Sequence, residues 1–289
     1  MKHNSKPFLM QLAAWLSVSV AVILIAIKLC AFLLTGALSI LSSLIDSAFD
    51  LVAAAINALA IYLSLKPADR LHRFGHGKAE AIGGFIQAVF MFLSAMFLLF
   101  ESYQHFKNKT PLEHLPVGVV VMVISTFLTL GLIYVQRMVV RRTQSTAILS
   151  DCMHYTGDTC MNIGVLTALA LSYWFNTAWL DELFAVGVAV YLLRSSVRIF
   201  RRVADILMDK EIDSSVRRAI QQAVRIDNNI YGIYRLKTRT AGAKTFIQFH
   251  AKINKRLNFQ QSYALCTRME KAIHAVLPKA EVIIYPVPK

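Results

Sequence analysis

The N-terminal two thirds of the chain is a succession of long apolar stretches separated by short polar connections. A membrane-spanning helix needs about 20 apolar residues. Six stretches are long enough, at about 9–33, 38–65, 82–103, 116–138, 146–172 and 179–200. After Arg202 the apolar runs shorten and the density of charge rises. The pattern predicts a domain of six transmembrane helices over residues 1–205 and a smaller domain outside the membrane over residues 206–289.

The smaller domain alternates between helical and strand-like patterns. Helical spacing covers residues 214–224 and 260–277, whereas residues 231–238, 245–252 and 282–285 alternate as strands do. Ala241 and Gly242 form a turn signal between the first two strands. The fold class is therefore predicted to be an α-helical membrane protein followed by a small α+β domain of order αββαβ.

Composition and charge support a membrane protein and give its orientation. Hydrophobic residues make up 56% of the 289 positions, above the usual 45–50% of soluble domains. The net charge of +14 could indicate nucleic-acid binding, but the sequence carries no nucleic-acid-binding motif. Lys and Arg gather instead after the second, fourth and sixth apolar stretches, and the first connection has none. This bias predicts that both termini lie in the cytoplasm.

Ionisable residues interrupt two of the apolar stretches at matching intervals. Asp46 and Asp50 stand four residues apart in the second, and His154 and Asp158 stand four apart in the fifth. Residues four apart share one helical face, and each charge at the bilayer centre costs about 2.5–3.5 kcal/mol. We expect no Lys or Arg in the membrane core to balance them, so the compensating cation should come from outside. Four N and O ligands suit tetrahedral Zn²⁺ and could also take Fe²⁺, Cd²⁺ or Mn²⁺. The alternative is a set of structural polar contacts between helices.

A second candidate metal site lies in the connection after the second apolar stretch. Asp69, His72 and His76 are close enough in sequence to bind one ion. The alternative is a solvated loop that gathers charge near lipid headgroups. The same connection carries Lys78, which could form an ion pair with Asp209 at the start of the smaller domain, or the two could be unrelated surface charges.

These motifs resemble the cation diffusion facilitator family, in its bacterial zinc and ferrous-iron efflux branch. The resemblance rests on Asp46-x₃-Asp50, on His154-x₃-Asp158, and on the RFGHGKAE segment at 73–80. It implies a homodimer of ferredoxin-like cytoplasmic domains in a bacterial inner membrane, surrounded by lipid. It also implies proton-coupled efflux by alternating access, with Zn²⁺, Fe²⁺ or Cd²⁺ as transported substrate and no prosthetic group. The paired Asp and His residues correspond to the family's transport site. Its loop site maps onto Asp69, His72 and His76.

The C-terminal domain departs from the family pattern. Where this branch usually has metal ligands, the chain has Tyr234, Tyr263, Tyr285 and Val287, and of that set His250 alone remains. A single His cannot hold a two-metal site. We therefore expect this domain not to bind metal in the family manner, and expect apolar and aromatic packing to hold the dimer.

Two other functions remain open from the residues alone. An intramembrane metalloenzyme could use the same Asp and His side chains to activate water, although the sequence has no HExxH motif. A metal sensor without transport could relay binding to the C-terminal domain, although the loss of ligands there argues against it. Metal flux without chemical change would separate a transporter from both.

Overall fold

The computed structural model describes residues 5–36, 38–108, 116–175, 180–242, 244–278 and 280–289. In its first part, all the regular secondary structure of the described residues is helical. The helices are α1 Ser5–Thr35, α2 Leu38–Ser64, α3 Ala79–Asn108, α4 Pro116–Thr143, α5 Thr146–Phe175 and α6 Leu180–Leu207. At 1.5 Å per residue, each exceeds the roughly 30 Å thickness of the hydrocarbon core. The prediction of a helical membrane domain is confirmed.

Helix α5 differs from the other five in polarity. By length and composition, α1, α2, α3, α4 and α6 could each cross a membrane. Helix α5 is as long, but it carries Asp151, His154 and Asp158 together with several hydroxyl side chains. It contacts α1, α2, α3 and α4, so much of its surface faces protein rather than lipid. This position explains why α5 tolerates polar residues that a lipid-facing helix would not.

Two glycines allow the helices to approach closely. A Cβ atom at Gly83 of α3 would lie 2.5 Å from the Cβ of Ala60 in α2. A Cβ atom at Gly157 of α5 would lie 2.4 Å from a terminal carbon of Leu192 in α6. Small residues at such crossings are a common way to bring membrane helices together. They fix α2 and α5, which carry the ionisable pairs, against their neighbours.

The described chain divides into two compact units. The first comprises Met1–Gly75 and Ala79–Val203, and the second comprises His76–Lys78 and Ala204–Lys289. The second unit contains α7 Ser214–Ala223, β1 Ile230–Ala241, β2 Lys244–Ile253, α8 Phe259–Val276 and β3 Ala280–Pro288. This αββαβ order is the one predicted from sequence. The central strand β2 pairs antiparallel with β1 and parallel with β3.

The core of the second unit lies on one face of its sheet. Along β2, Ile247, Phe249 and Ala251 are buried and belong to the core that also includes Met269 and Ile273 of α8. The alternate residues Gln248, His250 and Lys252 therefore lie on the opposite face. Helix α8 begins with a capping box, which fixes its start. The Oδ1 of Asn258 accepts from the amide of Gln261 at 2.8 Å, and the Gln261 side chain accepts from the amide of Asn258 at 3.0 Å.

Asp227 stabilises the connection between α7 and β1. Its Oδ1 accepts from the backbone amide of Asn229 at 2.9 Å, and its Oδ2 accepts from Nη2 of Arg268 in α8 at 2.8 Å. The bond from the Asn229 amide, with smaller contributions from the Asn229 side chain and Arg268, holds the pKa of Asp227 below its usual range. The ionised carboxylate therefore helps to attach this loop to α8.

Candidate metal centre

Three of the four predicted membrane ligands come together between α2 and α5. The Nε2 atom of His154 lies 2.9 Å from Oδ1 of Asp50 and 3.7 Å from Oδ2 of Asp158. One ligand atom from each residue lies within 4.8 Å of the others. The helical spacing of His154 and Asp158 places both on the same face of α5, opposite Asp50 of α2. A divalent cation between these atoms would meet one nitrogen and two carboxylates.

His154 is the most enclosed member of this cluster. Its side chain is 5% exposed, compared with 26% for Asp50 and 35% for Asp158. Its Nε2 faces both carboxylates, so a proton or a metal ion bound at that nitrogen would be stabilised by the two negative charges. A proton and a metal ion would therefore compete for the same nitrogen.

Asp46, the fourth predicted ligand, is not part of this cluster in the described residues. It lies one helical turn before Asp50 on α2, and its side chain is exposed. The cluster of ligand atoms comprises Asp50, His154 and Asp158. The participation of Asp46 therefore stays a prediction.

The expectation that no membrane Lys or Arg balances the carboxylates is wrong. Lys28 of α1 extends toward α2, where its Nζ donates to the carbonyl of Ser43 at 3.0 Å and to Oγ of Ser47 at 2.7 Å. The charges of Asp50, Asp158 and Asp46 all act on this ammonium. Lys28 is the only Lys or Arg between positions 7 and 35, and this isolation was the signal available in the sequence.

A further buried carboxylate was not predicted from the sequence. Asp151 is 2% exposed and lies three residues before His154 on α5. Its Oδ2 accepts from Oγ of Ser17 in α1 and from Nε2 of Gln136 in α4, each at 2.7 Å. These bonds join α1, α4 and α5. Asp151 lies close to the start of α5, where a charged residue near the membrane surface is common, so its position in the sequence gave little reason to expect burial.

The predicted loop ligands fall on both sides of the division between the two units. Asp69 and His72 belong to the first unit, where Oδ1 of Asp69 accepts from the amides of Leu71 and His72 at 2.9 and 2.6 Å. The Nδ1 of His72 lies 3.4 Å from the same Oδ1. His76 is half-buried and belongs to the second unit. The loop site stays a prediction.

In the C-terminal domain, aromatic side chains occupy positions where the family pattern has ligands. The ring of His250 on β2 stacks between Tyr234 of β1 and Tyr285 of β3, with centroids 5.1 and 5.0 Å away. The three residues are direct neighbours across the sheet. Tyr263 on α8 is 68% exposed. The retained His250 is thus part of an aromatic row on the face opposite the core.

Lys78 and Asp209 form the ion pair that the sequence left open. Their Nζ and Oδ1 atoms lie 3.0 Å apart within the second unit. Beside the pair, Gly77 approaches the turn between β1 and β2 so closely that an added Cβ would lie 2.4 Å from the carbonyl oxygen of Ala241. Glycine at position 77 is therefore required for segment 76–78 to lie against the sheet.

We expect Gly77→Ala to loosen this segment. The new methyl group would overlap backbone atoms, which typically costs about 1–3 kcal/mol. Hydrogen exchange of the full-length protein should then show faster exchange at residues 76–80 and in the turn after β1. Gly131→Ala in α4 is the control, because a Cβ there meets no atom within 4 Å. Unchanged exchange in Gly77→Ala would contradict the packing.

Two family descriptions match consecutive parts of the chain. Residues 14–208 match the cation efflux transmembrane domain, and residues 212–288 match the cytoplasmic domain of cation efflux proteins. The cation-efflux pump FieF of Klebsiella pneumoniae (strain 342) is 39% identical over 273 residues, which are 94% of this chain and 91% of that protein. FieF of Shewanella oneidensis is 38% identical over 278 residues, 96% of this chain and 94% of its own. A solved CzrB structure, 24% identical, covers 27% of this chain and 98% of its own with a TM-score of 0.26, too low to support an argument.

Proposed function

Because this chain belongs to the cation efflux family and is therefore a transporter of metal cations, we propose that it exports divalent metal in exchange for protons. Zn²⁺ is the favoured substrate, with Fe²⁺ and Cd²⁺ as further substrates. The observation that carries the proposal is the position of His154 Nε2, 2.9 Å from one carboxylate of α2 and 3.7 Å from one of α5. A nitrogen and two carboxylates that converge between helices can hold a borderline-soft divalent ion.

Asp46 completes the proposed site. It lies on the same face of α2 as Asp50, one turn away. With Asp46, the metal would have four N and O ligands, the number that Zn²⁺ prefers in closed sites. The same set serves Fe²⁺ and Cd²⁺ well enough that the supply of each metal in the cell can determine which is exported.

Proton coupling follows from competition for the same lone pairs. A carboxylate or imidazole must lose its proton before it can bind metal, so metal binding releases protons. Imidazole is the side chain whose ordinary pKa lies nearest neutrality, and His154 supplies it here. A proton that arrives from the outer side would compete with the bound metal for Nε2 and promote its release. Protonation also lowers the negative charge that the empty site must carry across the bilayer.

The cellular setting is proposed from the charge bias and the relatives. Lys and Arg gather in the connections after α2 and α4 and at the end of α6, and from this bias we propose that both termini lie in the cytoplasm. The FieF relatives come from bacteria, and we place this transporter in a bacterial inner membrane. The loop residues Asp69, His72 and His76 are a proposed second metal site on the cytoplasmic side. The second unit is proposed to join two copies through apolar and aromatic packing rather than through bound metal.

Metal uptake into inside-out membrane vesicles tests the proposal directly. In such vesicles, export appears as uptake, and an acidic interior supplies the protons. We expect Zn²⁺, Fe²⁺ and Cd²⁺ to enter when a pH gradient is imposed, and expect a protonophore to reduce the initial rate strongly. Mn²⁺ should enter more slowly, because the site offers an imidazole that Mn²⁺ does not favour.

Two results would change the assignment. Uptake that ignores the protonophore would remove proton coupling while leaving metal transport in place. Absence of uptake for every metal, in a protein that still binds Zn²⁺, would favour the metal sensor.

A further inference from the structure

Lys28 is an ionisable residue in the apolar helix α1, and metal binding alone does not explain its presence there. Its position in α1 is surrounded in sequence by Ile27, Leu29 and other apolar residues. A lysine at membrane depth costs about 2.5–3.5 kcal/mol on insertion scales. Such a residue is retained where its charge has a partner or a use.

The side chain of Lys28 is held toward the cluster of Asp50, His154 and Asp158. Both of its hydrogen-bond acceptors belong to α2, where Ser47 directly follows Asp46 and precedes Asp50 by one turn. Ser47 is 2% exposed, so the ammonium donates into the interior of the helix bundle. Neither acceptor carries a charge, so neither neutralises the ammonium. Its positive charge therefore interacts with the carboxylates of Asp50, Asp158 and Asp46.

The charges of Lys28 and of the three carboxylates that act on it balance for a divalent ion. Asp46, Asp50 and Asp158 contribute three negative charges when ionised, and Lys28 contributes one positive charge. The two net negative charges that remain are matched by one Me²⁺. Without Lys28, the loaded site would keep a net negative charge inside the bilayer and would attract the metal more strongly.

We propose that the positive charge of Lys28 limits how tightly the transport site holds a divalent metal and so lets the metal leave. The inference rests on the proposed transport site of Asp50, His154 and Asp158 completed by Asp46. Lys28 is not one of the proposed ligands and acts through its charge. Its effect is electrostatic repulsion of a divalent ion in a medium of low dielectric constant.

Lys28→Gln separates this role from a structural one. The Gln amide can still donate hydrogen bonds toward Ser43 and Ser47, but it has no charge. If Lys28 served only to join α1 to α2, the substitution would leave metal affinity unchanged or lower it. If Lys28 limits affinity by its charge, the substitution must raise affinity. The two roles therefore predict effects of opposite sign.

Calorimetry of Zn²⁺ binding to the full-length protein provides the test, at mildly alkaline pH to reduce competition from protons. The Zn²⁺ binding that is lost in Asp50→Asn is the Asp50-dependent binding. We expect this binding to be at least about tenfold tighter in Lys28→Gln than in wild type. The maximal rate of Zn²⁺ uptake should fall, because release is slower. Lys28→Arg, which keeps the charge, should stay close to wild type in both measurements. Lys107→Gln removes an exposed lysine of α3 and is the control for a change in overall charge.

Each result has a defined meaning. Unchanged or weaker Zn²⁺ binding in Lys28→Gln, in a preparation that elutes as wild type does, overturns the inference. A Lys28→Met variant repeats the test if Lys28→Gln fails to fold. Tighter Asp50-dependent binding in Lys28→Gln, together with a wild type that transports no metal, would overturn the proposed function but leave the limit that Lys28 sets on metal affinity. Absence of Asp50-dependent Zn²⁺ binding in wild type would overturn both.

Discussion

Replacing Asp50 with asparagine is expected to abolish metal transport. Asparagine has nearly the same shape, but it lacks the negative charge and is not among the usual protein ligands of Zn²⁺. Its amide would face Nε2 of His154, which lies 2.9 Å from the present carboxylate. Changes to partners outside the ligand shell already cost about 10–100-fold in metal affinity, so loss of a ligand should cost at least roughly 100-fold.

The measurement is Zn²⁺ uptake by vesicles under an imposed pH gradient, with Zn²⁺ binding measured on the same purified protein. Glu281→Gln is the matched control, because it removes one exposed carboxylate from the second unit and should transport as wild type does. Asp46→Asn belongs in the same series. A loss comparable to that of Asp50→Asn would support a four-ligand site, and a small effect would favour the three-ligand cluster. Uptake at the wild-type rate by Asp50→Asn would show that the metal takes another path.

The candidate site was predictable where it depends on helical periodicity. The i, i+4 spacing fixes which side chains of one helix share a face, so the sequence could pair Asp46 with Asp50 and His154 with Asp158. The approach of Asp50 to His154 depends on the packing of α2 against α5. The orientation of a long side chain from a third helix does not follow from any periodicity. Lys28 lies 19 residues from its acceptor Ser47, and only the packing of α1 against α2 brings them together. For the same reason, the sequence did not show that Asp151 would meet Gln136 and Ser17.

The fold followed from sequence at the level of element type and order. Apolar length predicted the membrane helices, and alternation predicted the three strands of the second unit. The strands extend beyond the predicted segments, most clearly β3, which covers Ala280–Pro288 rather than 282–285. Parallel pairing with β2 holds these additional residues in place, and pairing between distant segments is not visible in local alternation. The stack of Tyr234, His250 and Tyr285 depends on the same pairing.

Replacing Phe249 with alanine is expected to have the largest effect on the stability of the second unit. Phe249 lies on the central strand β2, is 0% exposed, and belongs to the core formed with Met269 and Ile273. Removing a buried Phe side chain typically costs about 3–5 kcal/mol, a large fraction of the roughly 5–15 kcal/mol that stabilises a whole domain. Hydrogen exchange of the full-length protein should show a corresponding loss of protection in β2 and α8.

Phe259→Ala provides a control with the same chemical change. Phe259 at the start of α8 is 87% exposed, and surface substitutions usually change stability by less than about 0.5 kcal/mol. Equal losses of protection in the two variants would contradict the described core. The same pair of variants addresses function, because Asp50, His154 and Asp158 all belong to the first unit. We expect Zn²⁺ binding through Asp50 to survive Phe249→Ala. If uptake nevertheless falls in Phe249→Ala and not in Phe259→Ala, the second unit contributes to the transport cycle in a step other than metal binding.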